Sequence, residues 1–227
     1  MARSGPGAIN LLSDLPGRLS SGLLAGATSR HLSANEVLFL AGDPGDGLYR
    51  VDEGLLKVSI TSASGAERIL AIFGPGSIVG DLAIIDGLPR SATVTALRDC
   101  KLRFLSRKAF EKFAAEEPAI YKYLLIVMAA RLRDTDQIVA AGSFLPLKGR
   151  VARALLDLSH AFGNDVGSGR IVIRQKVSQS ELAAMAGIAR ENVSRIMNDW
   201  MRTKVVTRLS GYYCLEDLAK LQREIDV

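Results

Sequence analysis

The chain holds 227 residues, 48% hydrophobic and 23% charged, with a formal net charge of +5. Such a composition excludes a disordered tail, a collagen-like repeat and a disulfide scaffold, and leaves chain enough for one large or two modest domains. The longest apolar run, Tyr123 to Ala130, is closed by Lys122 and Arg131 and falls short of the roughly 20 residues of a membrane span; the opening Met-Ala-Arg-Ser-Gly-Pro-Gly lacks the apolar stretch of a leader, so a cytoplasmic location is expected.

Between residues 9 and 30, Leu11, Leu12, Leu15, Leu19, Leu23 and Leu24 recur at roughly helical spacing and predict one or two short helices. From His31 to Leu105 the texture changes. Short runs rich in Val, Ile and Leu (Glu36–Leu40, Leu48–Asp52, Leu55–Thr61, Arg68–Phe73, Ser91–Leu97 and Lys101–Leu105) are punctuated by turn signals such as Gly42-Asp43-Pro44-Gly45-Asp46-Gly47 and Gly74-Pro75-Gly76. Many short strands at regular spacing predict a small antiparallel barrel or roll.

A long helix follows, about Pro118 to Ser143. Leu124, Met128, Arg131, Thr135, Ile138 and Gly142 step alternately by four and three, a heptad seam that predicts pairing with a second copy. The alternative is a helix packed on its own roll, where Arg131 and Thr135 would be awkward. Pro146 breaks the helix. Lys148–Phe162 reads as a helix, Gly163–Gly169 as a loop and Ile171–Ile173 as a strand. Ser178–Ala186 reads as a helix opened by a capping box, Ser178 with Glu181. Gly187 makes the turn, Ala189–Arg202 a second helix, and Val205–Leu215 a hairpin around Ser210-Gly211. Two helices, a glycine turn and a hairpin make a winged helix-turn-helix. The fold class is therefore α+β: an N-terminal antiparallel β-roll of jelly-roll type within residues 1–117, a long helix within 118–145, and a winged helix-turn-helix within 146–227.

Charge is uneven. Residues 146–227 carry 13 Lys and Arg against 9 Asp and Glu, leaving the rest of the chain near neutral. A basic segment on a neutral body suggests a polyanion partner there. Cys100 and Cys214 have no neighbour at metal-ligand spacing and read as reduced, packed thiols. Two cysteines exclude a four-cysteine zinc or iron–sulfur site. His31 and His160 are the only histidines, too few for a three-histidine metal centre, and no haem ligation is visible. With His31 alone in the roll, a metalloenzyme of the cupin kind is not expected.

Two stretches carry chemistry. Gly76-Ser77-Ile78-Val79-Gly80-Asp81-Leu82-Ala83, followed by Arg90-Ser91-Ala92-Thr93, has the logic of an anion cradle. Glycines let backbone N–H groups approach an anion, Arg90 can hold two phosphate oxygens, Ser91 can donate a hydroxyl, and Asp81 suits a sugar hydroxyl. The second stretch is Ile188 to Met197. On a helix, Arg190, Glu191, Ser194 and Arg195 share one side, while Val193, Ile196 and Met197 face the core. Arg can bind guanine O6 and N7, and Glu can accept from cytosine N4. A plain surface helix with a Glu191–Arg195 pair is the blander reading.

In these residues the chain resembles the cyclic-AMP receptor protein (CRP/FNR) family of bacterial transcription regulators. The family cassette Gly-Glu-(Leu/Met)-(Ala/Gly)…Arg-(Ser/Thr)-Ala appears as Gly80-Asp81-Leu82-Ala83…Arg90-Ser91-Ala92, with Asp81 one methylene shorter than the family Glu. The resemblance implies that Asp81 holds the ribose 2′-hydroxyl and that Arg90 and Ser91 hold the cyclic phosphate. It places Arg131 near the pocket and Thr135 against the purine. The next residue, supplied by the partner subunit in the family, is here Asp136. A carboxylate accepts from N6 of adenine or from N1 and N2 of guanine, which makes cyclic AMP the first expectation and keeps cyclic GMP open. The family recognition helix, Arg-Glu-x-Val-x-Arg, appears as Arg190-Glu191-Asn192-Val193-Ser194-Arg195. It implies a palindromic double-stranded DNA target with TGTGA-like half-sites. Ser194 also suits a TTGAT-like half-site. Ser178, Gln179, Arg208 and Ser210, with Gln175-Lys176, are the expected phosphate contacts. The resemblance further implies a homodimer through residues 118–145, RNA polymerase as a protein partner, and no metal, haem or iron–sulfur cluster. The alternative is a regulator of the same fold that needs no ligand or senses another molecule, such as a cyclic dinucleotide.

Overall fold

The computed structural model describes residues 17–226. Leu11, Leu12 and Leu15 of the expected N-terminal helices lie outside them. The chain divides into two compact units at Arg133/Asp134, with the short segment Ala63–Arg68 grouped with the second.

Among the described residues the first unit opens with helix α1 (Gly17–Leu24), which leads into a roll. Strand β1 (Thr28–Leu32) takes residues that the leucine spacing assigns to a helix. Only Leu32 of β1 is buried, so the strand carries no alternating apolar signal. Then come β2 (Val37–Phe39), β3 (Gly47–Glu53), β4 (Leu56–Thr61), β5 (Glu67–Phe73), the two-residue β6 (Ile78–Val79), helix α2 (Asp81–Asp86), β7 (Thr93–Ala96) and β8 (Cys100–Ser106). They form two four-stranded sheets, in orders β1-β8-β3-β6 and β2-β7-β4-β5. Pairing is antiparallel in both, with Val51 opposite Leu102 in one sheet and Val58 opposite Val94 in the other. Tyr49, Val51, Leu56, Phe73, Val94 and Leu102 belong to the core cluster of the roll. Cys100 is buried among them and is a free thiol, as is Cys214 in the second unit.

A helix that the sequence reading does not anticipate, α3 (Arg107–Glu116), follows β8, its N-cap Ser106 accepting from the Ala109 N–H. The long helix α4 runs from Ile120 to Phe144. Ile120, Leu124 and Val127 of α4 join Leu23, Leu48, Ile78, Leu105 and Phe110 in a second cluster, with Met128 packed against it. This corrects the expected seam. Leu124 and Met128 face the helix's own roll, and Arg131 is bound to Asp81. The heptad step survives one residue later: Leu125, Ala129, Leu132, Asp136, Val139 and Ser143 are all exposed. Leu125, Leu132 and Val139 leave more than 60% of their surface bare. Among the described residues no helix is long and apolar enough to cross a membrane.

In the second unit, α5 (Leu147–Phe162) buries Val151, Leu155 and Leu158 on one side. Arg150 reaches back to cap the end of α4, donating from Nε to Leu145 O at 3.0 Å and from Nη2 to Gly142 O. That is a favourable place for a cation, beside the orphan carbonyls of a helix end. Where a loop is expected, Gly163–Asp165 forms β9, paired with β10 (Ile171–Ile173). Helices α6 (Gln179–Ala186) and α7 (Arg190–Arg202) follow, then β11 (Val206–Leu209), β12 (Tyr212–Leu215) and an unanticipated α8 (Leu218–Arg223). The small sheet runs β11-β12-β10-β9. Its hairpin turn carries positive φ at both Ser210 and Gly211, the backbone that a two-residue turn of matching twist requires.

Candidate functional site

Arg90 forms the floor of the cradle. Its side chain is 2% exposed. Its main chain is stitched to the β2–β3 loop, the Arg90 N–H donating to Asp43 O and the Gly42 N–H to Arg90 O, both at 2.8 Å. The guanidinium lies 4.3 Å from the Phe39 ring centroid. Nη1 donates to Gly80 O at 2.8 Å and Nη2 to the Asp46 carboxylate at 2.6 Å. Nε is buried and has no hydrogen-bond partner among the described residues. A guanidinium carries more N–H donors than these two bonds use, so the cation keeps donors to offer. Gly80 is required here twice over: its φ is +82°, and a Cβ would stand 2.3 Å from Arg90 Nη1.

Asp81 opens α2 and is buried. Both its oxygens accept from Arg131 Nη1, at 2.7 and 2.8 Å, while Arg131 Nη2 donates to Ile78 O at 2.7 Å. The Arg131 guanidinium lies 5.2 Å from the Phe73 ring centroid. A carboxylate has about four lone-pair sites, and Arg131 occupies two of them. Asp81 can therefore still accept from a hydroxyl without giving up its ion pair. Burial, with the Asp46 charge adding to it, pushes the Tyr49 phenol above its ordinary value.

The structure thus brings Gly80, Asp81, Arg90 and Arg131 together in the first unit. Ala83 is buried against the β2–β3 loop, while Leu82 and Ser91 are exposed. Thr135 and Asp136 are exposed on α4, one turn beyond Arg131. The sequence reading missed Asp46 and Phe39. Asp46 sits in a stretch that reads only as a turn, and its tie to Arg90 spans 44 residues. Among the described residues, no group of three His, Cys, Asp or Glu is placed to hold a metal ion.

In the second unit the capping box forms in both directions. Ser178 Oγ accepts from the Glu181 N–H at 3.1 Å, and the Ser178 N–H donates to Glu181 Oε2 at 2.7 Å. The Ser178 hydroxyl also donates to Glu181, so its proton is already committed. Gly187 ends α6 with φ +65°. In α7, Val193, Ile196, Met197 and Trp200 are buried, and Arg190, Glu191 and Arg195 are exposed, with Ser194 half-buried between them. The Glu191–Arg195 pair does not form. Arg195 bonds Asn192 Oδ1 instead, and the side chains of Arg190 and Glu191 make no hydrogen bond or ion pair among the described residues.

A cleft of about 480 Å³ lies beside these residues, lined by Lys176, Ser178, Gln179, Arg190, Arg208 and Gly211 among others. The strand-to-helix loop before α6, the start of α7 and the β11–β12 hairpin all contribute to it. Two of its cations rest on aromatic rings: Arg208 lies 4.5 Å from the Tyr213 centroid and donates to its hydroxyl at 2.8 Å, and Lys176 lies 5.9 Å from Tyr212. Gln175 is a correction. It is 5% exposed and turns its amide to Lys176 O, so it cannot reach a phosphate outside.

Comparison with known proteins matches both units. A cyclic nucleotide-binding domain profile covers residues 29–117 and a Crp-like helix-turn-helix domain profile covers 149–224. The chain is 34% identical over 163 residues to the CRP-like cAMP-activated global transcriptional regulator of Mycobacterium tuberculosis, covering 72% of each protein. It is 33% identical over 185 residues to the cyclic AMP receptor protein of Thermus thermophilus, covering 82% of each. Among solved structures, a CRP/FNR-family transcriptional regulator, also from Thermus thermophilus, superposes with a TM-score of 0.73 at 27% identity, over 88% of this chain and 99% of that one. The c-di-GMP-responsive regulator CLP of Xanthomonas campestris shares the fold at 23% identity, with a TM-score of 0.76 over 88% of this chain and 99% of that one.

Proposed function

The chain belongs to the CRP family of transcription regulators, and on that premise we propose that it acts as a homodimer whose hold on a palindromic, TGTGA-like operator is gated by a cyclic nucleotide, cyclic AMP before cyclic GMP. It is a DNA-binding regulator rather than an enzyme, like its relatives. The observation that carries the ligand reading is Arg90: a buried guanidinium beside Gly80, with an orphan Nε–H. The donors that Gly80 O and Asp46 leave unspent are what an anionic ligand can take up.

In this reading the cyclic phosphate takes the remaining Arg90 donors and the Ser91 hydroxyl. Asp81 accepts the ribose 2′-hydroxyl on its open lone pairs. Thr135 and the partner's Asp136 receive the purine. The Asp81–Arg131 ion pair then ties the ligand directly to α4. The exposed heptad from Leu125 to Ser143 supplies the dimer seam and carries Asp136 on it. Drawing two α4 helices together sets the recognition helices about 34 Å apart, one turn of DNA. RNA polymerase follows as the protein partner.

Arg190, Glu191, Ser194 and Arg195 read base edges, while Gln179, Arg208, Lys176 and the Ser210 turn lie along phosphates. These two roles predict different behaviour. Arg190→Ala is expected to cost about 1–3 kcal/mol on the operator and to relax selectivity at one base pair. Arg208→Ala is expected to weaken all duplexes alike and to lower the salt slope of log K by about 1. Fluorescence anisotropy over a salt series with operator and scrambled duplexes separates the two.

A second reading, that of a ligand-independent regulator or a sensor of a cyclic dinucleotide, has one observation in its favour. Asp46 and Asp81 already supply countercharge to Arg90 and Arg131. Operator binding by nucleotide-stripped protein decides between them. Gating requires at least a roughly fivefold gain on adding cyclic AMP or cyclic GMP, the low end of a normal coupling energy. Tight binding that neither nucleotide changes favours the second reading.

A further inference from the structure

The cradle's two ion pairs stand on separate pieces of chain. Asp46, which meets Arg90, belongs to the β2–β3 loop. Asp81, which meets Arg131, opens α2. Something must hold loop and helix at a fixed spacing, because a ligand that spans both charges can be no better placed than that spacing allows.

Arg107, the first residue of α3, touches both pieces. Its main-chain N–H donates to Asp46 O at 2.9 Å. Its guanidinium donates from Nη2 to Gly45 O at 3.3 Å and to Ala83 O, and from Nη1 to Ile84 O at 3.3 Å. Ala83 and Ile84 are the third and fourth residues of the six-residue α2; Ala83 O also accepts from the Gly87 N–H, so Arg107 is its second donor, and a cation is favoured towards this end of the helix. Gly45 is seated so closely on α2 that a Cβ on it would lie 2.3 Å from that of Ala83. Arg107 makes no ion pair among the described residues; main-chain carbonyls alone receive its side chain.

We propose that Arg107 is a positioning residue of the nucleotide cradle: a single guanidinium that clamps the Asp46 loop to α2 and so fixes the Arg90 and Asp81 ends of the site relative to each other. The proposal rests on the reading of that cradle as a cyclic nucleotide site. The planar fork of Arg is what permits three carbonyls to be reached at once. Lysine, a compact point charge, keeps the charge without the span.

The test uses the full-length protein with Arg107→Gln and Arg107→Lys, and has two readouts. The first is amide hydrogen exchange without ligand. The Gly87 N–H, bonded to Ala83 O, and the Arg90 N–H, bonded to Asp43 O, report on the clamp, and the Leu97 N–H, bonded to Leu55 O, is the control. Arg107→Gln is expected to speed exchange at Gly87 and Arg90 by about tenfold or more and to leave Leu97 unchanged. The second is calorimetric titration with cyclic AMP and cyclic GMP. Affinity is expected to fall on the order of tenfold in Arg107→Gln, the worth of charge-assisted hydrogen bonds, with Arg107→Lys recovering only part. Exchange and affinity both at parental values overturn the clamp. Faster exchange with affinity within twofold of the parent overturns its role in ligand binding. Uniform loosening that includes Leu97 reduces Arg107 to a general stabiliser and overturns the proposal too. If the parent itself binds neither nucleotide, the ligand reading fails, and exchange at Gly87 and Arg90 alone decides whether Arg107 clamps the loop to α2.

Discussion

Arg90→Ala is expected to cost roughly 2–5 kcal/mol of cyclic nucleotide binding, on the order of thirty-fold to several thousand-fold in affinity, while the roll stays folded. The size follows from burial. A guanidinium that is 2% exposed meets an anionic phosphate with little water to screen it. The fold survives because Asp46, the carboxylate left behind, is 62% exposed and rehydrates, and because Gly80 O can take a water. Arg90→Lys keeps the charge but loses the fork, and is expected to fall between the two. Calorimetry gives the affinities, and circular dichroism with a thermal melt checks the fold. Parental affinity in Arg90→Ala would remove the phosphate from this place.

Leu132→Arg is expected to leave the protein monomeric, where the proposed dimer pairs through this face, and to cost operator affinity about a hundredfold or more. Two recognition helices on one body bind far more tightly than either alone, an avidity of about 10² to 10⁴ in general terms. Leu132 sits mid-way along the exposed heptad and is 63% exposed, so an Arg there leaves the isolated chain undisturbed. The register is itself tested by contrast. Leu124→Arg strikes a residue buried among Leu23, Leu48 and Phe110 and is expected to unfold the roll, an effect of a different kind. Sedimentation velocity with and without nucleotide separates these outcomes. Asp136 occupies the same seam, where two copies would repel each other. In the proposed dimer, donation from an exocyclic amine of the purine would offset that repulsion and so tighten the pair.

The off-by-one seam shows where the sequence can be read and where it cannot. A helix with apolar residues at Leu124, Leu125, Met128 and Leu132 satisfies a 4-3 step in two adjacent registers. Only the roll decides between them, by taking Leu124 and Met128 for its own core. The helix-turn-helix is legible because its signals are local: Ser178 with Glu181, Gly187 in the left-handed region, and core residues at Val193, Ile196, Met197 and Trp200. Strand β1 is not legible, because four of its five residues are exposed and its apolar pattern is that of no strand. Helix α3 escapes the reading although Phe110 and Ala114 repeat at helical spacing and Ser106 caps it. In the cradle, Gly80, Asp81 and Arg90 lie within one short segment and can be named. Asp46 and Arg107 reach the site from 44 residues before Arg90 and 24 residues after Ala83, through turn and helix residues that carry no motif.

Nucleotide and operator should each tighten the binding of the other, and one titration tests this coupling. Nucleotide-stripped protein is titrated calorimetrically with cyclic AMP, and separately with cyclic GMP, first alone and then saturated with a TGTGA-type palindromic duplex. Linkage demands that the factor by which DNA tightens the ligand equal the factor by which the ligand tightens DNA. Tighter nucleotide binding is expected in the presence of the duplex, by about five- to 150-fold, with the preferred purine showing the larger factor. Nucleotide affinity that is the same with and without the duplex, or no binding heat at all from a protein that still holds the operator, would contradict it.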